Sequence, residues 1–393
     1  MKKKNIAIIG STGSIGKTLL KIISIEKKNF NICLLTAHKD YKTLLYQAKI
    51  FNAKNLIITD HHSFKILKNK TKNLKINVYN GYDKLNKIFQ NKIDYTMSSI
   101  TGIDGLYPTV KIIKFTKKIA IANKESIICG WAIINKELKK NKTEFIPVDS
   151  EHFSLWYGIK GNNKNNIEKI YLTASGGPFY MLPLKNFKNI NIKNALKHPN
   201  WKMGKKISID SATMINKIYE VMEAKNIFDI PYKKIDILIH PKSYVHAILK
   251  FNNGLIKIIA HDTTMQIPIF NTIYSNTDKT IKSEKLNIKS LNNLNFSKVD
   301  KKRYPITKLL KILPKEHTLF DTVIVSTNDI LVELFLKKRI RFIDIEKKLL
   351  QIIKSKVFVK YKKMYPNNIK DIINLNKYVR LKVLENMYKS GHV

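Results

Sequence analysis

The sequence predicts an α/β protein with an N-terminal Rossmann-like parallel sheet, a central α+β domain and a C-terminal helical bundle. Three observations predict it. Short β-like runs alternate with helical patterns over residues 5–130, at Asn5–Ile9, Phe30–Leu35, Asn55–Thr59, Tyr95–Ser98 and Ile119–Ala122, and strands separated by helices make a parallel, doubly wound sheet. Further strands at 169–173, 235–239, 244–251 and 255–260 share the next stretch with a helical pattern over Ser211–Phe228. The last two flank Asn253-Gly254, a hairpin signal. Beyond residue 305, apolar residues recur with a period near 3.6 at 306–313, 319–335, 343–353 and 369–388. The expected division is 1–150, 151–274, a polar Lys/Asn/Ser-rich linker at 275–303, and 304–393.

A chain of 393 residues is too long for one ordinary core, and 44% hydrophobic residues exclude global disorder. Against 72 Lys and Arg stand 29 Asp and Glu, a net charge of +43. One reading is a binder of nucleic acid or anionic membrane; the other is compositional drift toward Lys, Asn and Ile. Lysine is scattered through almost every segment, whereas a nucleic-acid site concentrates charge on one face, so drift is favoured and no specific nucleic acid is expected. Cys33 and Cys129 lack metal-ligand spacing and fit a reducing compartment. The first strand follows Met1–Lys4 directly, leaving no room for a leader, and there is no long apolar run. The expectation is a bacterial cytoplasmic protein with no membrane partner.

Ile6–Ile9 followed by Gly10-Ser11-Thr12-Gly13-Ser14-Ile15-Gly16 reads as strand, glycine-rich turn and helix. Such a turn lets the backbone approach a pyrophosphate, and the helix from about Ser14 to Ile23 aims its unpaired N–H groups at the charge. After the second strand come His38-Lys39-Asp40, where the adenosine ribose is read. Lys39 would pair with a 2′-phosphate and Asp40 would suit a free 2′-hydroxyl, so NADP and NAD both stay open here.

Pro147-Val148-Asp149-Ser150-Glu151-His152 carries two carboxylates at i and i+2. In extended chain both point to one side, repel each other, and suit a hard divalent cation. Asp210 or Ser211 reads as the cap of a helix on which Asn216, Lys217 and Glu220 share a face, with a phosphate site at its start. Ser175-Gly176-Gly177 is a second candidate cradle. His198-Pro199-Asn200-Trp201-Lys202-Met203-Gly204 is a loop able to close over a ligand.

Together with Thr101–Leu106, Ala122–Ser126 and Ile239-His240-Pro241, these segments resemble the 1-deoxy-D-xylulose 5-phosphate reductoisomerase family, in eight ordered motifs over some 240 residues. The resemblance implies conversion of that sugar phosphate to 2-C-methyl-D-erythritol 4-phosphate in isoprenoid precursor synthesis. It implies NADPH, a divalent Mg²⁺ or Mn²⁺ (with Co²⁺ as an alternative) and a homodimer. By resemblance, Thr12, Gly13, Ser14 and Ile15 hold the pyrophosphate, Lys39 lies beside the 2′-phosphate, and Asn123, Glu125 and Gly204 match further cofactor contacts. Asp149, Glu151 and Glu220 match the metal ligands. Lys124, Ser150 and Glu151 match positions around the reacting oxygens, so Lys124 and the three acids are the implied catalytic set. Ser175, Ser211, Asn216 and Lys217 match phosphate and hydroxyl contacts, and His198, Trp201 and Met203 match the loop over the substrate.

The chain departs from the family pattern at Ala174, Tyr180, Ile218-Tyr219, His38 and Asp40. It departs again at residues 261–268, which replace an Arg-containing stretch, and at Ser326-Thr327-Asn328-Asp329. A semialdehyde dehydrogenase on the same scaffold would need a nucleophilic cysteine in its middle domain, and residues 145–275 hold none.

Overall fold

Strand and helix alternate from the start in the computed structural model, which describes residues 3–201, 203–275 and 277–389. They run β1 (Lys4–Ile9), α1 (Ser14–Ile25), β2 (Phe30–Ala37), α2 (Tyr41–Phe51), β3 (Asn55–Ile58), α3 (His61–Lys70), β4 (Asn77–Tyr79) and α4 (Leu85–Ile88). There follow β5 (Ile93–Ser98), α5 (Leu106–Ile113), β6 (Thr116–Ile121), α6 (Lys124–Lys140), β7 (Glu144–Pro147) and α7 (Ser150–Ile159). The strands form a parallel sheet in the order β4-β3-β2-β1-β5-β6-β7. Ile6, Ala7, Ile8 and Ile9 are fully buried, the continuous apolar run of a strand covered on both faces. The order reverses between β1 and β5, which leaves a crevice outside their carboxyl ends, beside Gly10 and Ser99. The five expected strands are β1, β2, β3, β5 and β6. Missing from the sequence reading were β4, with three residues, and β7, an edge strand ending in proline, both too short or too irregular to show a pattern.

The next elements are β8 (Ile167–Ala174), α8 (Ile192–Ala195), α9 (Lys205–Ala212), α10 (Ile215–Phe228), β9 (Ile235–Ile239), β10 (Val245–Phe251) and β11 (Ile256–Ala260). After these come α11 (Gln266–Tyr274), α12 (Ile288–Asn292), β12 (Ser297–Lys298), α13 (Leu319–Leu336), α14 (Phe342–Ile352), α15 (Lys356–Val359) and α16 (Ile369–Lys389). The second sheet has the order β11-β10-β8-β9-β12, with only β8 and β9 parallel. Its core joins Ile170, Leu172, Ala247 and Leu249 to Val221 and Ala224 of α10. The hairpin turns at Gly254, whose φ of +85° suits glycine. Helix α13 starts at a Thr318–Asp321 capping box and is buried on nearly every side, packed by α14 and α16.

Three local expectations are corrected. The helical pattern over 211–228 is two helices, because Thr213 Oγ1 turns back to Ile209 O (3.2 Å) and Met214 adopts a left-handed φ of +66°. Asp210 and Ser211 therefore lie near the end of α9, and neither caps the helix that carries Lys217. The pattern at 306–313 is a 3-10 segment, Pro305–Lys311, cut short by Pro314, which disfavours helix at Leu313. The stretch 275–303 is more than a linker, since it holds α12 and β12, and β12 pairs with β9.

Contacts divide the chain into two compact units, one of Met1–Ser126, Ala132–Phe153 and Met265–Lys282, the other of Ile127–Trp131, Ser154–Thr264 and Ser283–Val393. This differs from the three-part reading because α11 packs with the first sheet. Ile269, Phe270 and Ile273 join the core with Leu19 and Ile23, and Tyr95 Oη lies 2.7 Å from Thr272 Oγ1. Among the described residues, no helix is long and apolar enough to cross a membrane. Ile269→Ala should lower unfolding stability by about 2–5 kcal/mol, the range for emptying a core aliphatic site. Urea denaturation checks it, and a loss below about 0.5 kcal/mol, the scale of a surface change, would place α11 outside that core.

Candidate active site

In the first unit the glycine-rich turn is built for close backbone approach. Gly10 has φ +86°, and a Cβ there would sit 3.1 Å from Ser99 and Ile100 backbone atoms. A Cβ on Gly16 would lie 2.6 Å from Gly10 O, so α1 could not pack onto the turn. Gln47 pins the turn from α2, accepting from Ser11 Oγ (2.8 Å) and donating to Ser11 O (2.9 Å). Gly13 caps α1 with no side chain, and Gly13 and Ser14 are exposed. The first amides of α1, at Ser14 and Ile15, thus have no side-chain acceptor from the cap and suit an anion.

Lys39 is exposed in the β2–α2 loop. Asp40 beside it caps α2, accepting the Thr43 N–H at 3.0 Å, which engages the carboxylate otherwise suited to a free ribose hydroxyl. Asn123 and Glu125 shape the loop after β5. Asn123 accepts from Ser126 N (2.6 Å) and donates to Gly102 O (2.8 Å) and Ile100 O, while Glu125 accepts from Gly102 N (3.4 Å). Both are buried.

The acidic pair follows β7. The condition of an extended chain is not met: Asp149 precedes α7 and Glu151 stands in the first turn, its N–H donating to Asp149 Oδ1 at 3.3 Å. The turn still brings carboxylate oxygens of the two residues within 4.8 Å of each other. Ser150 Oγ donates to Glu151 Oε2 (2.5 Å), and Lys124, first residue of α6, places Nζ 3.2 Å from Asp149 Oδ2. Buried His152, given no role by the sequence reading, lies with Nδ1 3.6 Å from Asp149 Oδ1; the i, i+3 spacing was its available signal. Two partly buried carboxylates this close, offering only oxygen donors, fit a hard divalent cation.

In the second unit β8 runs into Ser175-Gly176-Gly177, where the two glycines have φ of +84° and +65°. A Cβ on Gly177 would meet Ser211 O at 3.0 Å, so its absence lets the loop lie against the end of α9. Ser175 Oγ accepts the Gly177 N–H (3.0 Å) and lies 3.1 Å from His198 Nε2. The backbone N–H groups of Asn200 (3.1 Å) and Trp201 (3.0 Å) both donate to His198 Nδ1. Nδ1 therefore carries no proton, and Nε2–H donates to Ser175. Burial, then the charge of Lys217, lowers the His198 pKa to about 4, in keeping with a neutral ring.

On α10, Asn216 Nδ2 donates to Glu220 Oε1 (2.5 Å) and Lys217 pairs with Glu220 Oε2, both members of the ion pair being buried. Gly204 caps α9 with open space around it. Trp201 and Met203 are half-buried, and Lys202 of the same loop lies outside the described residues. The structure thus gathers Ser175, His198, Ser211, Asn216, Lys217 and Glu220 in the second unit. It places the glycine turn, Lys39, Lys124, Asp149, Ser150 and Glu151 in the first. Sequence reasoning missed a brace behind Ser211, in which Asp210 accepts from Lys206 Nζ (2.9 Å) and Asn328 Nδ2 (2.8 Å), and Lys206 also meets Asp329 (3.1 Å). The altered 326–329 run still ties α13 to α9.

Three family models match the chain: 1-deoxy-D-xylulose 5-phosphate reductoisomerase over residues 6–130, that enzyme's C-terminal domain over 145–228, and DXP reductoisomerase C-terminal domain over 262–382. The 1-deoxy-D-xylulose 5-phosphate reductoisomerase of Pelagibacter ubique is 61% identical over 382 residues, 97% of this chain and 98% of that one. The chain belongs to this family. It is an NADPH- and divalent-metal-dependent reductoisomerase, converting 1-deoxy-D-xylulose 5-phosphate to 2-C-methyl-D-erythritol 4-phosphate. Among solved structures, the Zymomonas mobilis reductoisomerase in complex with NADPH matches with a TM-score of 0.87 and 30% identity, covering 98% of this chain and 99% of that one. A reductoisomerase in complex with NADPH, fosmidomycin and magnesium matches at 0.89 and 29%, with the same coverage.

The tautomer and pKa of His198 carry a prediction. In histidine NMR titrations the ring should stay neutral until the pH approaches about 4. Lys217→Ala removes a positive neighbour, so the midpoint should rise toward the ordinary 6.5 without reaching it, since burial persists. An unchanged or lower midpoint in the variant would show that Lys217 does not act on this ring.

Proposed function

We propose that the reductoisomerase reaction is divided among the named residues as follows, the close Asp149–Glu151 pair with Lys124 beside it being the observation that carries the assignment. Thr12, Gly13, Ser14 and Ile15 hold the NADPH pyrophosphate at the start of α1, and Lys39 faces the 2′-phosphate. Asn123 and Glu125 shape the loop against which the cofactor rests, and Gly204 leaves room for it. Asp149, Glu151 and Glu220 are the metal ligands. A bound Mg²⁺ or Mn²⁺ supplies Lewis-acid polarisation of the substrate carbonyl and neutralises charge on its oxygens.

The chain's own groups do the rest. Lys124 sets a fixed positive charge beside the reacting oxygens, where preorganised charge lowers the barrier most. Ser150 and Glu151 contact those oxygens. Ser175 Oγ accepts two N–H bonds from the protein, so its own hydrogen is the one left to donate to a phosphate. Ser211, Asn216 and Lys217 complete the grip on phosphate and hydroxyl, and anchoring remote from the reacting carbons orients them. The 198–204 loop, through His198, Trp201 and Met203, covers the substrate and excludes water. The hydride comes from NADPH, because no side chain can supply one.

Two further assignments rest on particular residues. Leu255, just before edge strand β11, and Ile256 and Ile258 within it are exposed at 65%, 58% and 49%, an apolar strip suited to a second copy of the chain in a homodimer. Cys33 and Cys129 are not in disulfides, in keeping with the bacterial cytoplasm.

Glu220→Gln should cut metal-dependent turnover by more than about 100-fold, beyond the usual effect of a group one shell outside a metal. NADPH binding, followed by cofactor fluorescence, should hold. Near-normal turnover at limiting metal would remove Glu220 from the ligand set. Ile258→Lys should shift the sedimenting species from two chains to one; an unaltered dimer would mean that the interface lies elsewhere.

A further inference from the structure

The loop that carries His198 and Trp201 rests on a dock built from the turn after β9 and the two ends of the β10–β11 hairpin. Asn200 Nδ2 donates to Pro241 O (2.6 Å) and Ser243 Oγ (2.9 Å). Ser243 holds a left-handed φ of +51°, so the turn is a specific shape. One residue along, Trp201 meets the His246 ring edge-to-face with centroids 6.2 Å apart. His246 is itself 1% exposed and lies flat against His261, with centroids 3.8 Å apart and 20° between planes. Nε2 of His246 also lies 3.2 Å from the carbonyl oxygen of His261. His261 Nδ1 is 2.8 Å from Asp262 O, which fixes the outer ring in turn. The three rings form a ladder, Trp201 on His246 on His261.

His261 is thus joined to the loop through a chain of ring contacts: its ring lies against His246, and His246 lies against Trp201. An aromatic pair in this geometry is directional as well as apolar. Removing the outer ring leaves one face of His246 unpacked, and so loosens the ring against which the indole of Trp201 rests.

We infer that His261 is a positioning residue for the substrate-covering loop, acting through His246 on Trp201. The inference rests on the reading that this loop covers the substrate. It predicts that His261→Ala raises KM for 1-deoxy-D-xylulose 5-phosphate by about 3- to 10-fold, the scale of one aromatic pair, with kcat changed less. His261→Phe keeps a flat ring in place and should restore KM.

The experiment uses the full chain labelled with 5-fluorotryptophan, whose three resonances come from Trp131, Trp156 and Trp201. Trp201→Phe assigns the third. In His261→Ala the Trp201 fluorine signal should shift or broaden while the other two hold, and His261→Phe should return it to its original place. An unmoved Trp201 signal in His261→Ala, or a His261→Phe variant as impaired as His261→Ala, overturns the inference. So does a moved signal with unchanged KM. Trp201→Ala tests the underlying reading by itself: if it leaves KM unaltered, the loop does not cover the substrate, whatever the fluorine spectra show.

Discussion

Repulsion between two carboxylates at the start of α7 is the constraint around which the first unit's site is arranged. Asp149 and Glu151 come within 4.8 Å because β7 stops at Pro147 and the chain turns at once into a helix. Held there alone they would repel each other and splay apart. The structure answers with positive and donor groups. Lys124 arrives from the neighbouring strand β6 and reaches Asp149, while Ser150 and the Glu151 N–H occupy particular oxygens and orient the rest. The parallel sheet matters to function mainly because it ends β6 and β7 side by side at one edge, so that residues 25 apart in sequence share one small volume.

The two proposed anion sites rest on different devices. At the glycine turn the protein offers backbone amides and a helix end, which need no ionisable side chain and no proton. In the second unit it offers side chains, and these must be kept in the right protonation state. His198 is held neutral by burial and by Lys217, and two backbone N–H groups dictate which nitrogen bears its proton. Lys217 could not be buried as a lone charge; Glu220 partners it, and Asn216 holds the other carboxylate oxygen. The proposed phosphate contacts and the proposed metal ligand on α10 are therefore one electrostatic unit, and a change to either charge disturbs both.

Much of this was legible in the sequence, and what was not has identifiable causes. Strands β1, β2 and β6 announce themselves by apolar runs at 6–9, 32–35 and 119–122, β5 by alternation of Ile93, Tyr95 and Met97 with polar residues, and the Gly10–Gly16 spacing by its strand–turn–helix context. Edge strand β7 offers only Phe145 and Ile146 before Pro147, too short a run to read as a strand. The break between α9 and α10 was invisible because it hinges on one backbone angle, at Met214, a residue with no preference for it. Residues 266–274 read as part of the middle domain because a helical pattern says that a face is buried but not against which core. The carboxylate pair stands in a helical first turn, where i, i+2 proximity arises as it does in extended chain. The brace of Lys206, Asp210, Asn328 and Asp329 could not be foreseen, as it joins residues more than 100 apart.

The charge of the chain gains meaning only when burial is added. A lysine on the surface costs almost nothing, so composition can drift there freely, whereas a lysine taken out of water carries a desolvation penalty of several kcal/mol unless it is partnered. Among the described residues only two lysines are buried, Lys124 and Lys217. Each is paired with a carboxylate, Asp149 in one case and Glu220 in the other, and both are implied by resemblance as substrate contacts. A net charge of +43 therefore says little about function. The two buried positive charges say more, since each is held in place by a carboxylate partner at a position that the proposed function gives to a substrate contact.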